Sequence, residues 1–175
     1  MNILVAYASK YGFTKGIAEF IAEKIRLQGV DVEIQKVDSV SNPRDYSVLV
    51  IGSSVYLGHW MKEASEFVLR NQDTLSRRPV WLFSSGPLCS DTSLSDPKLE
   101  PKEIAEFRAA INPRDHRIFF GAFDRKKLGF KDRMLATMPA ARALFPEGDF
   151  RNWHDIQTWT NTISKSFKKT AEKVK

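Results

Sequence analysis

Ile3-Leu4-Val5-Ala6-Tyr7-Ala8-Ser9-Lys10-Tyr11-Gly12-Phe13-Thr14-Lys15-Gly16-Ile17-Ala18 is the stretch whose reading decides the fold. Past Asn2, its first part is apolar without alternation. A strand buried on both faces has that pattern, because neither face looks at water, so residues 2–8 are expected to form one. The middle is a polar, turn-forming piece around Gly12. From Thr14 the period changes: Ile17, Ala18, Ile21, Ala22 and Ile25 recur at three- and four-residue steps and draw one apolar stripe along a helix. Gly29 follows as the stop signal of that helix.

The same alternation continues outward. Val30, Val32, Ile34 and Val37 predict a second strand, and Ser41–Asp45 a polar turn. Val48–Ile51 reads as a third, fully apolar strand closed by Gly52, and Pro79–Phe83 as a fourth. A helix is expected from about Trp60 to Leu75, with Ala64, Phe67, Val68 and Leu75 inward. Residues 86–101 read as a long loop rich in Pro, Gly, Ser and Asp, in which Asp91 and Asp96 are turn or cap residues; a short helix follows over Lys102–Ile111. Arg117–Phe123 is expected as the fifth strand, and about Trp153 to Lys173 as the last helix, cored by Ile156, Trp159, Ile163 and Phe167. Strand–helix alternation predicts an α/β fold: a doubly wound, five-stranded parallel sheet, order 2-1-3-4-5, with helices on both faces and right-handed crossovers. No internal repeat or linker interrupts it, so residues 1–175 are expected to form a single domain. Ligands of such sheets bind beyond the carboxyl ends of the strands, where the strand order reverses. That rule gathers three loops: 9–14, 53–60 and 84–92.

Composition narrows the chemistry. Apolar residues make up 42% of the chain, enough for one full core, and no apolar run is long enough to span a bilayer. The chain opens directly on its first strand, without the charged region and cleavage site of a signal peptide, so a cytoplasmic protein is expected. A single cysteine, Cys89, excludes an intramolecular disulfide and argues against a thiolate zinc or iron–sulfur site; with no histidine nearby in sequence it reads as a loop bystander. No metal site is expected, and redox chemistry would need a bound organic cofactor. The net charge of +6 points to nucleic acid, an anionic membrane surface or an acidic partner. Nucleic acid is set aside because the basic residues form no recognition motif.

The loop Ser9-Lys10-Tyr11-Gly12-Phe13-Thr14 has the chemistry of a phosphate cradle. Backbone amides entering a helix N-terminus converge on one point, the helix dipole adds attraction, and Ser9 and Thr14 offer hydroxyl donors. Gly12 permits a tight turn. Neither a Walker loop nor a dinucleotide fingerprint is present, which favours one phosphate monoester. The alternative is an ordinary strand-to-helix turn capped by Thr14. Tyr7, Ser9, Gly12, Thr14 and Ala18 resemble the flavodoxin signature for the phosphate of flavin mononucleotide (FMN), with Ile21 as the following aliphatic residue. Ala6 departs from that pattern, and Lys10 and Tyr11 partly replace its usual threonine-rich loop. The resemblance implies FMN as cofactor. It places the flavin ring against Ser53, Ser54, Val55, Tyr56, Leu57 and Gly58, with Tyr56 or Trp60 stacking, and its pyrimidine edge against Ser84, Ser85, Gly86, Pro87 and Leu88.

Tyr56-Leu57-Gly58-His59 is similar to the Gly-His element of the flavodoxin-type, quinone-dependent protoporphyrinogen oxidases and their flavodoxin-domain relatives. A basic, apolar insertion at about 124–150 carries the same likeness: Arg125, Lys126, Lys127, Lys131, Arg133 and Arg142 alternate with Leu128, Phe130, Met134, Leu135, Met138, Leu144 and Phe145. Physically, such a segment suits an anionic membrane face, an apolar anionic substrate such as a porphyrin, a quinone, or simple packing with a solvated basic side. The resemblance implies an FMN-dependent oxidoreductase with a quinone or other redox partner, a porphyrinogen as candidate substrate, peripheral contact with the inner membrane face through 125–145, and His59 as a catalytic candidate. His59 at a helix N-terminus with no chemistry is the other reading. The competing functions are an electron-carrying flavodoxin, an NAD(P)H-quinone reductase and a flavin-free binding module.

Overall fold

The computed structural model describes residues 1–86, 99–129 and 147–172, with side chains in the last helix through Phe167. Eight strands are described: β1 (Asn2–Ala8), β2 (Asp31–Lys36), β3 (Val48–Tyr56), β4 (His59–Trp60), β5 (Val80–Ser85), β6 (Asp115–Phe119), β7 (Ala122–Phe123) and β8 (Gly148–Asp149). The helices are α1 (Phe13–Arg26), α2 (Lys62–Arg70), α3 (Gln72–Leu75), α4 (Glu103–Ile111) and α5 (Trp153–Glu172). The parallel sheet runs β2-β1-β3-β5-β6, the expected 2-1-3-4-5 order once the short β4 is set aside. Register is fixed by pairs such as Ile3↔Val48 and Ile51↔Leu82.

The unbroken apolar run of β1 divides between two cores. Ile3, Val5 and Tyr7 face α1 and α5, where Ile17, Ile21, Ile156, Trp159 and Ile163 pack. Leu4, Ala6 and Ala8 face α2 and α4, against Ala64, Phe67, Ile104 and Phe107. Gly52 on β3 is sterically required: a Cβ there would lie 2.0 Å from Cζ of Phe83.

Three expected elements have different bounds. The third strand continues past Gly52 to Tyr56 and turns back through Leu57-Gly58 into β4, which pairs antiparallel with it (Val55↔Trp60, Tyr56↔His59). Trp60 is therefore in a strand, α2 starts at Lys62, and the helical run breaks at Asn71 before α3. The expected strand 117–123 is two strands. β6 ends at Phe119, and β7 leaves the sheet to pair with β8. Phe150 N–H, donating to Gly121 O at 3.1 Å, anchors that excursion at its far end. Much of the basic insertion, including Lys131, Arg133 and Arg142, lies outside the described residues, as do Cys89, Asp91 and Asp96. Among the described residues, no helix is long and apolar enough to cross a membrane.

Candidate functional site

The β1–α1 turn is shaped by Ser9 and Gly12. Ser9 Oγ accepts the Gly12 N–H at 3.1 Å, and Gly12 adopts φ +86, a left-handed conformation that glycine takes at little cost. The first helical bond runs from Gly16 N–H to Gly12 O at 3.0 Å. No side chain caps α1 and no acid sits in its first turn. Thr14 is buried and is not a cap. The leading amides of a long helix are thus presented without a competing side-chain acceptor, the arrangement that attracts an anion.

A cavity opens beside this turn. Ser9, Lys10, Tyr11, Phe13 and Thr14 form one wall; Ser54, Val55, Tyr56 and Leu57 form the second; Ser85 and Gly86 form the third. The second and third walls touch closely. A Cβ on Gly86 would lie 3.1 Å from Val55 Cβ, and Gly86 N–H donates to Phe119 O at 3.2 Å. Leu57 and Gly58, with φ 51 and 80, make a two-residue hairpin turn in which both residues are left-handed. Leu57 is 94% exposed at its tip. Gly121, Ala122 and Phe123 complete the cavity. Sequence reading placed these three inside a strand and missed them; the rule that sites gather beyond strand carboxyl ends would have found them had β6 been ended at Phe119.

Not every expected contact residue lines the cavity. Gly12 shapes the turn rather than the wall, and Gly58 belongs to the hairpin tip. Ser53 is fully buried: its hydroxyl donates to Ser54 O at 2.9 Å and accepts from Met61 N–H at 3.0 Å, so it fixes the start of α2. Pro87 and Leu88 lie outside the described residues. His59 is on β4, not at a helix N-terminus, and it is absent from the cavity wall. Its Nδ1 lies 2.7 Å from Glu103 Oε1, while Glu103 Oε2 accepts Trp60 N–H at 3.1 Å. That carboxylate ties the hairpin to α4, an attachment that gives His59 a structural partner.

The flavodoxin domain family model matches residues 4–143. The chain belongs to the flavodoxin domain family. Among curated proteins it is similar to the protoporphyrinogen IX dehydrogenase [quinone] of Escherichia coli (strain K12), at 27% identity over 86 residues, 48% of this chain and 48% of that protein. The match thus spans about half the length of that relative. Among solved structures, it resembles the rubredoxin oxygen:oxidoreductase of Desulfovibrio gigas (TM-score 0.62, 12% identity, 95% of this chain and 36% of that one). It also resembles a flavodoxin from the domain Archaea (TM-score 0.53, 18% identity, 82% and 99%). These two likenesses concern the fold.

FMN is the cofactor of this flavodoxin domain, and one atom of the cavity tests the fit. Ser54 lines the wall, and its Oγ is buried without a hydrogen-bond partner. Such a hydroxyl costs about 1–3 kcal/mol unless something pairs with it. The polar edge of a flavin, which carries both donors and acceptors, supplies such a partner.

Behind the hairpin of this flavodoxin domain runs a polar relay that sequence reading did not anticipate. Trp60 Nε1–H donates to Ser84 Oγ at 2.7 Å, and Ser84 Oγ lies 2.8 Å from His116 Nε2. His116 Nδ1 faces Glu100 Oε1 at 3.6 Å, and Glu100 is gripped by both terminal nitrogens of Arg108 at 2.7 and 2.6 Å. Burial pushes the His116 imidazole down to about 4, with Arg108 adding and Glu100 opposing. Neutral His116 next to a carboxylate, which can only accept, carries its proton on Nδ1; the unprotonated Nε2 then accepts the Ser84 hydroxyl proton, while the Ser84 oxygen accepts from the indole. Arg108 holds the Glu100 carboxyl below its ordinary value by hydrogen bonding. The relay joins α4 to β5 and β4, and so to the second and third walls of the cavity.

The β7–β8 excursion also reaches the β1–α1 turn. Arg151 Nη1 donates to Phe13 O at 3.3 Å, and its guanidinium is held by Asp149. Gly16 leaves the space for it: a Cβ there would lie 2.8 Å from Arg151 Nη1. Lys127 Nζ sits 4.8 Å from the Phe13 ring centroid on the same flank.

Proposed function

We propose that this flavodoxin domain is an FMN-dependent oxidoreductase that oxidises a porphyrinogen-type substrate and passes the electrons to a quinone. The observation that supports the reading is that Ala122 and Phe123, on the strand leading into the basic segment, line this cavity. A bare electron carrier needs only an exposed flavin edge; an apolar, anionic substrate needs an adjoining wall with cations near it, and Lys127 and Arg151 lie on that flank. The similarity to a quinone-linked protoporphyrinogen IX dehydrogenase supports the same chemistry.

In this reading Ser9, Lys10, Tyr11, Gly12, Phe13 and Thr14 hold the FMN phosphate. Tyr56 lies against the ring, Leu57 and Gly58 meet its edge, and Ser54, Ser85 and Gly86 take its polar side. Bound FMN supplies the acceptance and release of electrons; the protein binds, orients and excludes water. The test is anaerobic: purified, FMN-loaded protein is mixed with protoporphyrinogen, and flavin bleaching is followed by absorbance before a menaquinone analogue is added. Bleaching followed by return of colour is expected. A flavin that the porphyrinogen leaves oxidised refutes the substrate. Rapid bleaching by NADPH alone would move the protein to the NAD(P)H-quinone reductases.

A further inference from the structure

The opposite end of the sheet, where β3, β5 and β6 begin, carries a groove that the flavin site does not use. Two adjoining hollows share Arg77 and Arg78. Arg114 completes one of them, and Arg44 with Thr74 and Asp73 completes the other. The backbone that carries these arginines is well anchored. Arg77 N–H and Arg78 N–H donate to Thr74 O and Leu75 O, each at 3.2 Å, and Arg114 N–H donates to Val80 O at 2.7 Å. Leu75 and Val80 are buried in the core, and Asn112, in the left-handed conformation with φ 44, turns the chain from α4 toward Arg114.

Several arginines elsewhere in the molecule meet carboxylates, although Arg26 donates to Val32 O instead. Arg108 pairs with Glu100, Arg117 with Asp155, Arg125 with Glu147 and Arg151 with Asp149. Among the described residues, Arg44, Arg77, Arg78 and Arg114 have no such ion pair. The hydrogen bonds of their side chains are to uncharged groups: Arg44 Nε to Thr74 Oγ1 and Arg78 Nη2 to Arg44 O, both at 3.4 Å. Nearby acids are engaged elsewhere, Asp115 by Trp159 Nε1 at 2.7 Å and Asp45 by Asn42 Nδ2 at 3.0 Å. Asp73 is the one carboxylate in the groove lining. Four like charges around one groove repel each other, and the repulsion is relieved when a multiply charged anion enters. Guanidinium forks match the oxygens of phosphate in pairs.

We propose that this groove is a second, non-redox binding site for a ligand carrying clustered phosphate charge, held by Arg77, Arg78 and Arg114 with Arg44 at its far end. Its distance from the flavin loops, across the length of the strands, makes it independent of the electron-transfer reading. Two sources share the chemistry: a free diphosphate and the phosphate headgroups of an anionic lipid surface. The experiment uses the FMN-loaded protein, so that the flavin phosphate cradle is filled. Pyrophosphate is titrated calorimetrically at physiological salt, and in a second arm sedimentation with phosphatidylglycerol vesicles is measured against neutral phosphatidylcholine vesicles. Both arms compare the native protein with the Arg77→Ala/Arg114→Ala double variant, whose flavin spectrum and melting temperature are expected to be unchanged. Affinity is expected to fall about tenfold or more in the arm that identifies the source, because two charge-assisted contacts are lost. No binding in either arm, or equal binding by the variant in both, overturns the proposal.

Discussion

Lowering the pH should unload one specific proton equilibrium, that of His116. In the folded chain its imidazole is pushed down to about 4, principally by burial, against 6.5 for the ordinary side chain. Above pH 6.5 it is neutral folded or unfolded, and its contribution to stability is complete. As the pH falls, the unfolded chain takes up a proton that the folded chain refuses, so stability is lost progressively from 6.5 down to about 4. At about 1.4 kcal/mol per pH unit, that gap amounts to about 3 kcal/mol, a sizeable share of a typical domain's stability. Glu100, held below its ordinary value by Arg108, loses stabilisation in the same direction at more acid pH, so the native slope alone is not diagnostic. The decisive comparison is His116→Gln, whose side-chain oxygen can still accept the Ser84 hydroxyl but does not titrate. Urea denaturation followed by circular dichroism at fixed FMN concentration, at half-unit steps from pH 4.5 to 6.5, should give a steeper stability profile for the native protein. The difference should approach one proton, about 1.4 kcal/mol per unit. Parallel profiles would refute a buried, neutral His116 and with it the tautomer assigned to the relay.

Other substitutions test the packing of the cavity. Ser54→Ala removes a buried hydroxyl that has no partner, so the FMN-free protein should gain about 1 kcal/mol in denaturant titrations while FMN affinity, read by flavin fluorescence quenching, falls severalfold; changes of the same sign in both would sink the assigned role. Gly52→Ala drives a Cβ into the Phe83 ring and should cost about 1–3 kcal/mol or more, seen as a lower melting temperature in calorimetry. Leu57→Asn places a residue tolerant of the left-handed region at φ 51 and should raise stability by up to about 1 kcal/mol. An unchanged or lower denaturation midpoint in Leu57→Asn would show that the exposed leucine is held there by packing.

The order of elements and the shape of the β1–α1 turn were legible in the residues because both are local. An apolar run that stops at a Ser/Gly turn and resumes at helical period can hardly be anything but a buried strand leading into a helix. The central strands β3 and β5 announce themselves by the same apolar runs, whereas the half-polar edge strand β6 gave no such signal for its bounds. The cofactor class followed from the same turn and its resemblance to the flavodoxin signature. Position in space was not legible. His59 looked like site chemistry by its neighbours in sequence, and only the fold shows that β4 aims it at Glu103 on α4. Gly121, Ala122 and Phe123 joined the wall because β7 leaves the sheet, an event governed by pairing with β8 some twenty-five residues later in the chain. The Trp60–Ser84–His116–Glu100 relay and the arginine groove draw on residues from separate elements with no common motif. Local periodicity sets which segments become strands and helices, whereas long-range pairing and burial decide which side chains meet, and so which of them can act together.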